Sequence, residues 1–361
     1  MKISIFIILL ASILLLQGCG GTEEQAQDQP LQQQIYDWKL VTSWPKNFPG
    51  LGRAPETFAK YVNEMSGGRL TITVYGAGEL VPGFEVFNAV SSGSIEMGHA
   101  GAYYWKGKIP AAPIFSAIPF GMNANEMSAW LHYGGGLELW RELYKPFGVI
   151  PFAGGSTGVQ MAGWFKKEIK SIDDLQGLKM RMPGLGGEVL KQVGALPVTL
   201  TGGEIFSSLQ SGAIDATEWV GPYNDKTFGL HKAATIYYTS GWHEPGTTLE
   251  FIVNESAYTS LPDDLQKIIE VATRAVNQDM LDEYTNANFL AMQQLIEEHG
   301  VQVKTLPEDV MVALRQATDE VIAQKRAEDP MFEKIYAAYD TFFEGVKAYH
   351  TLSEQAYYEN R

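Results

Sequence analysis

Residues 178–190 read LKMRMPGLGGEVL, residues 212–225 GAIDATEWVGPYND, and residues 241–247 GWHEPGT. A lone basic residue, Arg181, stands between Met180 and Met182 at the end of a short strand. A Pro-Gly turn and a helix from about Gly187 to Val193 follow it. Glu218-Trp219 close a second short strand, and Glu244 follows the aromatic strand Ile236 to Tyr238 and enters a proline turn. An Arg at a strand's carboxyl end can hold a carboxylate through two parallel charge-assisted hydrogen bonds, and open α/β sheets bind ligands at that edge. The oxygens of Glu218, Glu244 and Gln160, with a backbone carbonyl, suit a hard cation such as Na⁺ or Ca²⁺. Such a cation offsets the acids and offers a carboxylate ligand a second positive partner. The bland alternative is a set of ion-paired or solvated surface groups, and spacing alone leaves both readings open.

Working outward, two segments match at an offset of 119 residues. Glu85-Val86-Phe87, Val90, Ser92-Gly93 and Ile95-Glu96 correspond to Glu204-Ile205-Phe206, Leu209, Ser211-Gly212 and Ile214-Asp215. Phe87 and Val90, like Phe206 and Leu209, share one helix face. Gly93 and Gly212 stand where a helix ends. Strands Ile95 to His99 and Ala213 to Thr217 follow the helices, and strands Leu70 to Tyr75 and Val198 to Leu200 precede them. Two strand–helix–strand units of an open α/β sheet, and hence two related lobes, are expected.

The remaining segments fit that frame. Helices are expected over Pro55 to Met65 and Ala124 to His132, and strands over Val149 to Phe152 and Val159 to Phe165. The run Ala153-Gly154-Gly155-Ser156-Thr157-Gly158 between those strands reads as a flexible bridge between lobes. After Phe251 to Val253 the chain turns helical: Leu261 to Glu298 is long enough to need both lobes, and Pro307 to Tyr349 carries the aromatic set Phe332, Tyr336, Tyr339, Phe342, Phe343 and Tyr349. That stripe packs either on its own lobe or on a second copy. The resulting division is lobe I over residues 36–156 with 252–306, lobe II over 157–251, and a C-terminal helical region over 307–361.

The N-terminus combines Lys2, an apolar run from Ile3 to Leu16, and Gln17-Gly18-Cys19, which reads as a signal peptide over residues 1–18. Leu16-x-Gly18-Cys19 resembles the lipobox of bacterial lipoproteins, although Gln17 is an unusual occupant. Cys19 is the only cysteine, and a Gln/Glu-rich tether over 19–35 follows, so lipidation at Cys19 and a lipid anchor are expected; an incidental cysteine is the alternative. A single cysteine excludes an intrachain disulfide and a thiolate metal cluster. The net charge of −15 argues against nucleic acid or an anionic membrane face as partner.

Enzyme signatures are wanting. His243-Glu244 precede Pro245, which rules out a helical HExxH zinc site, and the six histidines show no close pair at ligand spacing. No GxSxG occurs. Gly184-Leu185-Gly186-Gly187 lacks the final glycine of a dinucleotide turn, whose place Val189 takes. A secreted metal-dependent lyase or hydrolase with Glu218 or Glu244 as general base therefore lacks both nucleophile and proton-relay histidine.

Longer ordered motifs carry a resemblance. They are Ser43-Trp44-Pro45; Gly158-Val159-Gln160-Met161 with Gly163-Trp164-Phe165; Leu178 to Arg181; Gly184 to Glu188; Gly203 to Phe206; Asp215 to Pro222; and Gly241 to Gly246. Over nearly the whole mature chain the sequence resembles the solute-binding proteins of tripartite ATP-independent periplasmic (TRAP) transporters, closest to their 2-oxoacid- and lactate-binding branch. The resemblance implies an α/β, two-lobed periplasmic-binding-protein-like fold with a hinge, a long lobe-spanning helix and C-terminal helices. It implies a non-catalytic receptor in the periplasm or on the outer face of the cell membrane, delivering a small 2-oxo monocarboxylate such as pyruvate to TRAP permease subunits. Lactate or another 2-hydroxy acid, held with Ca²⁺, is the alternative ligand. The motif arginine, Arg181, is implied to clamp the substrate carboxylate. Gln160, Glu218, Trp219 (partly through its carbonyl) and Glu244 are implied to surround a cation, Na⁺ or alternatively Ca²⁺, with Gln160 and Trp219 also touching substrate. Tyr103 is the expected contact from lobe I. Some relatives dimerise through a swapped C-terminal helix, which favours a homodimer through residues 307–349.

Overall fold

The computed structural model describes residues 34–361; the signal segment 1–18, Cys19 and nearly all of the tether lie outside the described residues. Among the described residues, eleven strands form two sheets: β1 (Tyr36–Thr42), β2 (Leu70–Tyr75), β3 (Met97–Ala100), β4 (Val149–Ser156), β5 (Gly163–Phe165), β6 (Lys179–Arg181), β7 (Leu196–Val198), β8 (Ala216–Thr217), β9 (Ile236–Tyr238), β10 (Thr248–Asn254) and β11 (Gln302–Lys304). The first sheet runs β2-β1-β3-β10-β4 and the second β11-β9-β5-β8-β6-β7. In the first, β2, β1 and β3 are parallel and β10 antiparallel. In the second, β7, β6 and β8 are parallel and β5 antiparallel. The two sheets thus share one plan, and the 119-residue repeat falls on corresponding parts of it. The helices Val86–Ser91 and Gly202–Ser211 each lead into the third parallel strand of their own sheet.

The chain passes between the sheets from β4 to β5 and back from β9 to β10, each of these crossovers supplying the antiparallel strand of the other unit, and returns a third time from β10 to β11 through the long helix. The bridge is shorter than the glycines suggest. Ala153 to Ser156 continue β4 against β10, with a register shift between Thr248 and Glu250. A Cβ on Gly154 would stand 2.5 Å from the Phe251 ring and one on Gly155 2.3 Å from the Met280 sulfur, so these glycines serve close packing rather than flexibility. The crossover proper is 157–162. It ends at Gly163, whose φ of +122° and approach of 2.4 Å between an ideal Cβ and the Thr217 carbonyl exclude a side chain. The two crossovers hydrogen-bond to each other, Thr157 N to Thr247 O at 3.1 Å and Gln160 N to Glu244 O at 3.2 Å.

The helix Asp263–Glu297 runs along both sheets' units. Its Asn277 accepts from Gly155 N at 3.1 Å beside β4. Further on, Tyr284 donates to Asn224 at 2.6 Å and Asn288 accepts from Tyr223 N at 3.0 Å, both on the helix Pro222–Phe228. Strand β11 then joins the second sheet beside β9, whereas the sequence division placed residues 252–306 with the first unit. The single C-terminal helical region becomes two helices, Glu308–Glu328 and Pro330–His350. Asp329 caps the second through Met331 N and Phe332 N, and Pro330 is at its first turn. Phe332, Ile335 and Tyr339 are buried on the same chain, and Tyr339 Oη accepts from Met122 N at 2.7 Å.

Sequence and structure differ at several ends. The strand expected at Ile95 begins at Met97, because Gly93 turns left-handed (φ +74°) and residues 94–96 bend. The strand expected over Val198 to Leu200 lies two residues earlier, where β7 follows the parallel register of β6.

Glu250, in the middle of β10, is fully buried and accepts from Trp105 Nε1 at 2.5 Å and Tyr144 Oη at 2.9 Å. It thereby fixes the short helical turn Ala102–Trp105 that follows β3. Burial pushes its carboxyl up to about 7, against the opposing effect of those two donors. A folded-state value above the unfolded one means that folding favours the proton. Its contribution is complete below about pH 4.5 and is lost as pH rises through about 7. We expect Glu250→Gln to remove on the order of 3 kcal/mol of the fall in unfolding free energy between pH 5 and 8. Urea unfolding of both proteins at the two pH values measures this; equal falls would contradict it.

Candidate functional site

The carboxyl ends of the parallel strands face the crossovers. Trp44 follows β1, Tyr103 and Tyr104 follow β3, Arg181 ends β6, and Glu218-Trp219 follow β8. Trp44 is pinned from behind: its Nε1 donates to His99 Nδ1 at 2.8 Å, and His99 Nε2 is 2.9 Å from the Gly154 carbonyl. Burial lowers His99 to about 4, so it is neutral, with Nδ1 accepting and Nε2 donating. Trp44 then meets Trp219 edge-on at 6.1 Å, joining the first unit's strand ends to the second's.

Arg181 is 1% exposed and Glu218 0%. The guanidinium Nη1 is ion-paired with Glu218 Oε1, Nε donates to the Leu200 carbonyl at 3.3 Å, and the guanidinium lies 4.9 Å from the Trp219 ring centroid. Burial opposes the charge on Arg181, and the field of Glu218 overcomes it. Glu244 comes from the second crossover. Its Oε2 accepts from Gln160 Nε2 at 2.7 Å and Thr247 Oγ1 at 2.5 Å. Burial, and then the charge of Glu218, push Glu244 up to about 7. Gln160, on the first crossover, also donates to Thr157 Oγ1 at 3.3 Å and Thr247 Oγ1 at 3.2 Å.

The structure therefore brings Arg181, Glu218, Trp219, Glu244 and Gln160 together. Tyr103 joins them at the rim: it is buried, and an ideal Cβ on Gly184, just past Arg181, would stand 3.2 Å from its Cβ. Burial raises the Tyr103 hydroxyl well above its usual range; the charges of Glu244, Arg181 and Glu218 act on it too. Lys106, one turn on, donates to the Gly184 carbonyl at 2.9 Å and pairs with Glu188 at 3.1 Å, fastening the β3 end to the Arg181 turn.

One residue overturns a sequence expectation. His243 does stand near the acids: its Nε2 is 3.6 Å from Glu218 Oε2, and it is 1% exposed. One ligand atom each from Glu218, His243 and Glu244 lie within 4.8 Å of one another. The spacing search missed it because the three arrive from two different segments. The only sequence signal was its place inside GWHEPGT.

Several polar atoms in the site are buried without a protein partner: Gln160 Oε1, Glu218 Oε2, Trp219 Nε1 and both nitrogens of His243. Buried polar atoms are normally paired, so a shared cluster of unpaired ones marks a place built for something else. Gln160 Oε1 and Glu218 Oε2 are acceptors, which suits a cation. Two carboxylates against one guanidinium leave a negative excess that a cation offsets. The donor set fits Na⁺ or Ca²⁺.

Comparison with known proteins identifies the family. Residues 40–329 match the DctP model, described as bacterial extracellular solute-binding protein, family 7. The chain is 44% identical over 320 residues to the monocarboxylate 2-oxoacid-binding periplasmic protein of Nostoc sp., covering 89% of this chain and 87% of that one. It is similar to a TRAP periplasmic solute-binding protein from Colwellia psychrerythraea solved with bound calcium and pyruvate, with TM-score 0.89 and 45% identity over 91% of this chain and 100% of that one. The same figures hold for a TRAP solute-binding protein from Pseudoalteromonas atlantica solved with bound sodium and pyruvate. The match over residues 40–329 and the 44% identity across nearly the whole of the Nostoc relative show that this chain belongs to the DctP family of TRAP solute-binding proteins.

Proposed function

We propose that this protein is a non-catalytic receptor that captures a small 2-oxo monocarboxylate, of which pyruvate is the representative, together with a metal cation and passes it to a membrane permease. The observation that carries the reading is the sealed cluster in which Arg181 faces Glu218 and Glu244 beside the unpaired Gln160 Oε1. Arg181 would hold the carboxylate, with Trp219 and Tyr103 walling the ligand. Gln160, Glu218, Trp219 through its carbonyl, and Glu244 would hold the cation. When bound, the cation supplies positive charge at the ligand's second oxygen. In a water-poor site that charge counts for far more than in bulk solvent. A 2-hydroxy acid such as lactate presents the same pair of oxygens and is the runner-up ligand. Relatives carry either calcium or sodium with pyruvate; Na⁺ is our first choice and Ca²⁺ the alternative, either ion offsetting the negative excess of the two carboxylates and the ligand.

The sheet plan supports a two-lobed receptor. We divide it at the crossovers: residues 36–156 with the strand Thr248–Asn254, and residues 157–247 with the strand Gln302–Lys304, spanned by the helix Asp263–Glu297. A lyase or hydrolase using Glu218 as base would now have His243 as a neighbour. Membership of a solute-binding family favours the receptor, and turnover of a carboxylate by the purified protein would overturn that choice.

We also propose an anchor at Cys19 and a homodimer. The chain end supports the second: Tyr349, Leu352, Tyr357 and Tyr358 are exposed, beside an apolar groove lined by Gly134, Phe342 and Val346.

Four outcomes test these readings. Calorimetric titration of Arg181→Ala with pyruvate should show a loss of about 2–5 kcal/mol in binding free energy, with the far-ultraviolet dichroism unchanged; wild-type affinity would remove the clamp. Exchange of wild-type protein into buffer free of Na⁺ and Ca²⁺ should weaken pyruvate binding, and indifference would remove the cation. Cys19→Ala should move the protein from the membrane to the soluble fraction. Sedimentation equilibrium should give twice the monomer mass, and the monomer mass after truncation at His350; a monomeric full chain would refute the dimer.

A further inference from the structure

The cation site contains a nitrogen donor that neither Na⁺ nor Ca²⁺ calls for. His243 is 1% exposed, yet both ring nitrogens lack a protein partner. A neutral imidazole carries one donor and one acceptor, and burying both unpaired is costly. The equally buried His99 is satisfied, engaging Trp44 and the Gly154 carbonyl, whereas His231, which also lacks partners, is only partly buried. His243 is held in place by packing instead, its Cβ 2.9 Å from an ideal Cβ on Gly186 and its ring 5.6 Å from that of Trp242.

The ring also has a direction. Nε2 stands 3.6 Å from Glu218 Oε2, itself buried and unpaired. That separation is too long for a hydrogen bond. It equals the edge between two donors bound to one ion at about 2.0–2.2 Å and a roughly tetrahedral angle. Glu244 supplies the third atom, all three lying within 4.8 Å, and its bonds to Gln160 and Thr247 use Oε2 only. One imidazole and two carboxylates form a donor set for borderline divalent ions, whereas hard cations take oxygen.

We infer that the site also binds first-row transition divalent cations, of which Zn²⁺ and Co²⁺ are representative, through His243 Nε2, Glu218 and Glu244. Na⁺ or Ca²⁺ use the oxygens on the Gln160 side, and the transition ion uses the His243 side, sharing Glu218 and Glu244. The two classes of ion therefore exclude each other. The inference rests on the cation site proposed above.

The test uses full-length mature protein stripped of metal, without any carboxylate. Zn²⁺ is titrated calorimetrically into wild type and His243→Gln, alone and in excess Ca²⁺, and Co²⁺ binding is followed by its visible d–d absorption. Expected are Zn²⁺ binding that Ca²⁺ competes away, at least about a tenfold loss of Zn²⁺ affinity in His243→Gln, Ca²⁺ affinity within about threefold of wild type in the same variant, and loss of the Co²⁺ bands. Zn²⁺ binding that excess Ca²⁺ leaves unchanged would overturn the shared site on wild-type protein alone. Equal Zn²⁺ affinity in His243→Gln, or equal losses for Zn²⁺ and Ca²⁺, would overturn the role of the imidazole. Pyruvate titration with Ca²⁺ is run in parallel: its failure removes the carboxylate reading and leaves the metal result standing.

Discussion

A guanidinium and two carboxylates share a volume closed to water, and the surrounding structure follows from the need to hold them there. An unpaired buried charge is strongly destabilising, so Arg181 and Glu218 must lie on elements that cannot drift apart. They sit at the ends of adjacent parallel strands whose register is fixed by Met180 opposite Ala216 and Arg181 opposite Thr217. Glu244 has no cation of its own. It is held by Gln160 and Thr247, and the excess charge it brings is what the proposed cation would offset.

The same constraint explains why the crossovers are paired. Gln160 and Glu244 belong to opposite passages between the sheets, and each passage is short and hydrogen-bonded to the other. A ligand touching Arg181, Gln160 and Tyr103 would contact the second unit, a crossover and the first unit at once. The contacts that already join the units are of mixed strength. Phe48 stacks on Phe228 at 4.4 Å and Asn224 donates to the Pro49 carbonyl at 2.9 Å, while Lys106–Glu188 is a partly exposed pair. Exposed pairs of this kind contribute only about 0–1 kcal/mol, so they can release without unfolding either sheet.

Much of this was legible in the chain. The strand reading placed Arg181 and Glu218 at strand ends, Glu244 lies within the second crossover, and the offset repeat, read as two strand–helix–strand units, falls on corresponding parts of two sheets. Local patterning misread Ala153 to Ser156, whose glycines answer to the Phe251 ring and the Met280 side chain, both about a hundred residues away. It could not show that β11 leaves the long helix for the second sheet, because three residues carry too little pattern to reveal a partner. His243 was discounted for a similar reason. Ligand-spacing rules see donors on one helix, and here the donors meet only after two segments distant in sequence are folded together.

The paired crossovers also act as a fulcrum. Displacement grows with distance from an axis of rotation, so a turn of one sheet against the other would barely move Gln160 and Glu244 and would carry the outer ends of the sheets furthest. In the receptor proposed above, a membrane partner at those outer surfaces would meet an amplified copy of ångström-scale events at the site. Trp44 and Trp219 are buried, so such a partner would meet the effect on shape rather than the ligand itself.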